Sequence, residues 1–221
     1  IQNQTVPEKQ VALLTLAGLE GSHSFPVWKT FLSDFEAGKM PEATWIELEE
    51  AIEQTGSNDL KMQFASALEK KAGGEEWKKY SGALAQGNVR LGRSIFFENQ
   101  TAQCIRCHAY TDMGGTAGPP LDGIGRKLSR EELLIALVEP SKRLAPGYGF
   151  VTLEMNSGEK VTGTLLEENE KDFQIRVGSE DKTISKADIK SSQLAPSSMP
   201  AMGGLLSKRE IRDLVSYLST L

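Results

Sequence analysis

Two cysteines in 221 residues are too few for a disulfide framework. No apolar run approaches the roughly 20 residues that span a bilayer. Ile1-Gln2-Asn3-Gln4-Thr5 carries neither a basic region nor an apolar core, so no signal peptide is expected there. Basic side chains are outnumbered 25 to 30, net −5, which argues against nucleic acid as the main partner. With 39% apolar and 25% charged residues, the composition is that of an ordinary globular chain. Long disorder, a coiled-coil rod and a collagenous chain are excluded on that ground. The length allows one large domain or two small ones.

Where the cysteines sit matters more than their number. Cys104-Ile105-Arg106-Cys107-His108 is C-x-x-C-H, the attachment signature of c-type haem. The spacing sets both sulfurs beside the two vinyl groups of one porphyrin edge, and the next residue is a histidine that can reach the iron. A structural zinc site would want four Cys/His ligands, and only Cys104, Cys107, His108 and the distant His23 are on offer. A thioredoxin-like pair would want a βαβ setting, which this sequence does not supply. For a second axial ligand, His23 lies in a polar turn far upstream and Met113 is only five residues past His108. Met40, Met62 and Met155 fall in predicted helices or strands, where core packing is the default. Met199 and Met202 lie in a Pro/Gly loop able to present a thioether. Just after it, Ser207-Lys208-Arg209-Glu210 reads as a capping box, with Ile211, Leu214, Tyr217 and Leu218 at helical spacing.

In that order, Gly92 to Phe97, C-x-x-C-H, Gly118-Pro119-Pro120-Leu121, Met199-Pro200 and Asp213 to Leu218 resemble a class I cytochrome c over the last 134 residues. The closer resemblance is to the C-x-x-C-H haem-binding domain at the C-terminus of large bacterial membrane-bound-dehydrogenase-like proteins. It rests on Leu133-Leu134, Glu139-Pro140-Ser141, Gly147-Tyr148 and a β-rich insert before Ser198-Met199-Pro200. The resemblance implies one covalent haem c anchored by Cys104 and Cys107. His108 would be the proximal iron ligand and Met199 the distal one, with Met202 as the runner-up. Pro119 would orient His108 through its carbonyl, and Gly92 and Phe96 would meet Tyr217 where the first and last helices cross. Arg126 would pair with a propionate, or be a solvated surface arginine. Tyr148 would contact a propionate or close the base of the insert.

The expected fold is mainly α. Residues 1–87 read as helices: one opened by Pro7, one over about Pro26 to Glu36, one starting near Pro41, one carrying Leu60, Phe64 and Leu68, and a short one with Trp77 and Tyr80. The 34-residue step between Pro7 and Pro41 fits either HEAT-like helix-pair repeats or a plain bundle. Residues 88–221 are the haem domain, with a helix capped at Ser129-Arg130-Glu131-Glu132 and a small antiparallel β insert at 146–195 of about four strands. The insert accounts for the 91 positions between His108 and Met199.

A His/Met iron would have no open position, so the expected function is electron transfer from a dehydrogenase, on the same natural chain or another, to a downstream carrier, and not catalysis. The alternatives are a haem enzyme or gas sensor with a labile sixth ligand, and a haem that is only a structural staple. Covalent c-type haem is attached outside the cytoplasm, so the chain is expected to be periplasmic or exported, as a mature or excised fragment. Charge is uneven: residues 1–87 carry 8 basic and 13 acidic side chains, the insert 6 and 9, the remainder 11 and 8. An acidic partner patch is therefore expected to dock on the haem domain.

Overall fold

In the first turn of α1 (Val6–Ala17), Pro7 occupies a place where a missing N–H costs no hydrogen bond. The computed structural model describes residues 5–18 and 25–221. α2 (Phe25–Glu36), α3 (Trp45–Gln54) and α4 (Asn58–Ala72) complete the N-terminal helices. Ser57 caps α4 by accepting from the Leu60 N–H, and Gly73, at φ 60°, ends it in the left-handed conformation. Leu60, Phe64 and Leu68 share one face of α4 and are buried with Trp28, Phe35, Leu48 and Ile52 in one apolar cluster. The Phe35 ring meets Trp45 edge-on at 5.1 Å and Phe64 at 4.9 Å. Among the described residues no helix is long and apolar enough to cross a membrane.

A 3-10 stretch, Glu76–Leu84, leads into the second cluster. This is built by α5 (Val89–Glu98), two one-turn helices, α6 (Cys104–Cys107) and α7 (Ile124–Lys127), then α8 (Arg130–Val138) and α9 (Lys208–Leu218). Capping boxes start α8 and α9: Ser129 with Glu132 and Ser207 with Glu210, each serine accepting from the glutamate N–H while the carboxylate accepts from the serine N–H. α5 crosses α9 at Gly92. A Cβ built there would stand 2.0 Å from the Asp213 carbonyl oxygen and 2.7 Å from the Tyr217 Cβ, so only glycine allows the approach. The Asp213 carboxylate accepts from the Asn88 N–H and the Ser216 hydroxyl from the Gly87 N–H, both at 2.7 Å. Phe96 packs on Tyr217 at 5.9 Å, and Ile95, Leu133, Leu134, Leu137, Leu214 and Leu218 fill the space around them. Ile46, Trp77 and Ala83 join the same cluster from the N-terminal segment.

The sheet corrects the expected fold class. β1 (Phe150–Met155), β2 (Lys160–Glu168), β3 (Asp172–Val177), β4 (Glu180–Ser185) and β5 (Ile189–Leu194) form one five-stranded antiparallel sheet in the order β4-β3-β2-β1-β5. It buries its own core of Val151, Leu153, Leu165, Phe173 and Ile175, separate from both helical clusters. The chain is thus a mixed α and β protein, not a mainly α cytochrome c fold with a small insert. The fifth strand escapes a reading by alternation because β5, Ile-Lys-Ser-Ser-Gln-Leu, lies at the sheet edge with five of its six residues exposed.

Four ion pairs tie α9 to α3, one of them Arg209 to Glu47 at 3.3 Å. The Lys208 ammonium donates to both Glu49 oxygens at 2.7 and 2.9 Å, and Arg209 makes a two-point contact with Glu50. The Arg212 guanidinium donates to Glu47 at 2.8 Å, and this pair is buried. One Glu47 oxygen and the Arg212 Nε have no hydrogen-bond partner there. Half-satisfied buried charges are costly to break and cheap to replace together. Urea unfolding of Glu47→Ala is therefore expected to show a loss of about 3 to 5 kcal/mol, most of it recovered in the double variant Glu47→Leu/Arg212→Met; strictly additive losses would contradict the coupling. At the helix crossing, Gly92→Ala is expected to cost about 3 kcal/mol or more. Gly204→Ala, whose Cβ meets nothing within 4 Å, should stay within about 0.5 kcal/mol of the parent.

Candidate functional site

After α5 the chain turns on Asn99, whose side-chain oxygen accepts from the N–H groups of Thr101 at 2.9 Å and Ala102 at 2.8 Å. Gln103 is left-handed at φ 46° and delivers the single turn of α6. Cys104 faces the core and Cys107 is exposed; both are free thiols. Burial pushes the Cys104 thiol up to about 11. The His108 N–H donates to the Cys104 carbonyl at 3.0 Å, so the imidazole leaves the end of α6 in a fixed direction.

Residues 109–121 wrap this turn with main-chain bonds. The N–H groups of Gly115, Gly118 and Leu121 donate to the carbonyls of Ile105, Cys107 and Ala109 at 2.8 to 2.9 Å. A Cβ on Gly118 would lie 2.7 Å from the His108 Cε1, so the backbone lies directly against the imidazole. The Pro119 carbonyl then stands 2.8 Å from the His108 Nδ1. A carbonyl can only accept, so Nδ1 carries the proton and the neutral ring keeps its lone pair on Nε2. Among the described residues Nε2 has no hydrogen-bond partner. The wrap also contains backbone strain: Thr111 at φ 47° and Asp112 at φ 62° are both left-handed. The Asp122 carboxylate accepts from the Thr111 N–H at 3.1 Å and pins that turn.

The two candidate methionines part company. Met202 is 2% exposed, inside the core, whereas Met199 is half-buried against the outside of the same cluster. Phe96 and Leu134 are buried, and Phe97, Leu121 and Ile124 line the cluster beside them, together with Cys104 and Ile105. Arg126 is exposed on α7 with its guanidinium over Gly123. Tyr148 is 39% exposed in the turn before β1 and joins neither the helical nor the sheet core. Met113 is 51% exposed, and His23 lies outside the described residues. Asp122 is a site-forming residue that the sequence reading missed, and Gly118, read there only as part of the Pro119 loop, proves to lie against the imidazole. For Asp122 there was no local signal, because its partner Thr111 lies 11 positions upstream.

The expected haem c is corrected at this point. The cysteines are free thiols, and among the described residues no three His, Cys, Asp or Glu side chains come together as a metal-holding group. What stands at the site is an imidazole with a bare Nε2, two thiols of unequal exposure, and an apolar wall.

Compared with protein-family models and with curated proteins, the chain finds no match.

The unequal thiols give a pH-dependent expectation. The unfolded chain forms the Cys104 thiolate near pH 9, and the folded chain only near 11. Stability owed to this thiol is therefore complete below about pH 9 and lost as the pH rises through about 11. Iodoacetamide, followed by peptide mass mapping, is expected to label the exposed Cys107 first, with Cys104 labelling rising steeply only as the pH nears 11. Equal rates for both at pH 8 would contradict the burial of Cys104.

Proposed function

We propose that the unit formed by α5 to α9 relays electrons, accepting them from a dehydrogenase and passing them to a downstream carrier in an exported compartment; the electron would sit on a bound one-electron redox group, since thiol, imidazole and thioether side chains carry no such couple of their own. The observation that carries the reading is the hydrogen bond from His108 to the Pro119 carbonyl, held inside the α5–α9 frame. That bond fixes the tautomer and the ring direction, and it raises the donor strength of Nε2, as such partners do for ligating histidines. An electron carrier needs little rearrangement between its two states. Main-chain bonds from Gly115, Gly118 and Leu121 hold the imidazole, and the apolar wall keeps water back. The resemblance to the class I cytochromes c supports the same reading.

The charge distribution supports a direction for docking. Outside the N-terminal helices and the sheet, basic side chains outnumber acidic ones 11 to 8, and Arg106, Arg126 and Lys127 are exposed on and near the elements of the site. An anionic partner is favoured there.

The test uses the full chain, exported to the periplasm of an expression host and purified from it. A redox titration followed by visible absorption, with intact mass on the same sample, is expected to give a reversible one-electron transition. Electron exchange with an anionic protein partner is expected to slow as salt rises. A folded protein with no reversible transition overturns the relay. So does a two-electron transition that tracks the two thiols, which would assign dithiol exchange instead.

A further inference from the structure

We propose that, independently of the relay, β4 is a pairing edge: two copies of this chain join there, antiparallel about Thr183, and continue the sheet across a two-fold axis. The sheet has two edges, and they are built differently. β5 carries a bulge. Glu154 pairs with Ser191 and Met155 with Ile189, which leaves Lys190 as the extra residue, its ammonium on Glu154 at 2.6 Å. A charged bulge, with Pro196 just past the strand, blunts an edge against pairing. β4 has neither. It pairs with β3 without a register shift, and Glu180, Asp181, Lys182 and Thr183 are exposed.

The alternation of the ladder decides which groups β4 offers. Val177 and Glu180 flank the tight turn Gly178-Ser179, and further along the Lys186 N–H donates to the Lys171 carbonyl at 2.7 Å. These are bonded pairs, so Lys182 and Ile184 also turn their main-chain groups toward β3. Asp181, Thr183 and Ser185 turn theirs outward. A second β4 can therefore bond only with those residues facing their own kind. With Asp181 opposite Thr183, the two Lys182 side chains would face each other. With Thr183 opposite Ser185, Lys182 would face Lys186 and Glu180 would face Asp188. Like charges directly opposite are destabilising. With Thr183 opposite Thr183, no like charges meet: Glu180 faces Lys186 at both ends, Lys182 faces Ile184 and Asp181 faces Ser185.

The charges of the edge are positioned for that register. Arg176 donates to both Asp181 oxygens at 2.6 and 2.9 Å, so Asp181 brings no free charge to the pairing. The Lys186 ammonium lies 5.0 Å from the centroid of the Phe173 ring and bonds Glu168 at 2.7 Å. Phe173 pairs with Ile184, and by the two-residue period Glu180 lies on the same face as Ile184. Glu180 and Lys186 of two copies thus meet on one face of the joined sheet. A self-complementary β4 beside a blunted β5 selects a second copy of this chain as the partner, joined edge to like edge in a closed pair.

The test is sedimentation of the full chain across the micromolar range, where a reversible monomer–dimer equilibrium is expected. Thr183→Pro removes an outward N–H and no bond to β3, so it is expected to give a monomer with the far-UV circular dichroism of the parent. Ser192→Pro does the same at β5, where the bond from the Ala195 N–H to the Phe150 carbonyl turns Ser192 outward, and should leave the dimer intact. Charge variants keep the question open to decision if proline upsets the fold. Glu180→Lys is expected to weaken the dimer about tenfold. Glu167→Lys, the same change of charge at an exposed position of β2, should change it by no more than about twofold. A parent that stays monomeric throughout overturns the proposal. So does a dimer that survives Thr183→Pro, or one that Glu180→Lys and Glu167→Lys weaken equally. Open-ended association abolished by Ser192→Pro would assign β4-to-β5 addition and overturn it as well.

Discussion

The approach of α5 to α9 at Gly92 sets the position of nearly everything else. Two backbones touch where a single added carbon would collide with the Asp213 carbonyl. The contact aligns Phe96 with Tyr217 and sets the N–H groups of Gly87 and Asn88 on α9 side chains. α5 then releases the chain at Asn99 into α6 in a fixed direction, and His108 inherits that direction. Close backbone packing of this kind is bistable rather than deformable: the helices cross this way or they separate. A site needing a fixed imidazole is well served by such a frame.

α9 is shared. One side of it closes on α5 and α8; its first two turns present Lys208, Arg209 and Arg212 to Glu49, Glu50 and Glu47 of α3. The buried pair Glu47–Arg212 adds little net stability, because desolvating both ions offsets most of their attraction. Around it, three cations on one helix face three carboxylates on the other, with Arg209 reaching both Glu50 and Glu47. Together with Ile46, Trp77 and Ala83 in the α5–α9 cluster, this makes the N-terminal helices part of the environment of the site and not a detached neighbour. The sheet differs in kind, since it closes a core of its own and meets the methionine loop at Phe150 and Ala195.

Features with local causes were legible in the sequence. Capping boxes at Ser129 and Ser207, Pro7 near the start of α1 and the Leu60, Phe64, Leu68 spacing of α4 each act within a few residues, and each stands in the structure. The strand β5 was not legible because an edge strand with exposed serines has no alternation to show, and with it went the balance between a mainly α and a mixed fold. Residues that act across the chain left no local trace. Asp122 reaches back 11 positions to Thr111, Tyr80 reaches 123 forward to Gly203, and Arg130 binds the carbonyls of Leu84 and Ala85 and the hydroxyl of Ser216. Among the predicted site residues, Cys104, Cys107, His108 and Pro119 are brought together around one turn, while Tyr148 stays in its own turn before the sheet.

The imidazole is the point on which the relay depends, and its tautomer is directly measurable. Nitrogen-15 NMR of the full chain, labelled at histidine, separates the two neutral forms by the shifts of Nδ1 and Nε2. The Pro119 carbonyl requires His108 to carry a proton on Nδ1, so its neutral ring leaves Nε2 bare. Finding the neutral ring in that tautomer is the predicted result. A neutral His108 protonated on Nε2 would mean that the bond to Pro119 is not made, and would contradict the site from which the relay is argued.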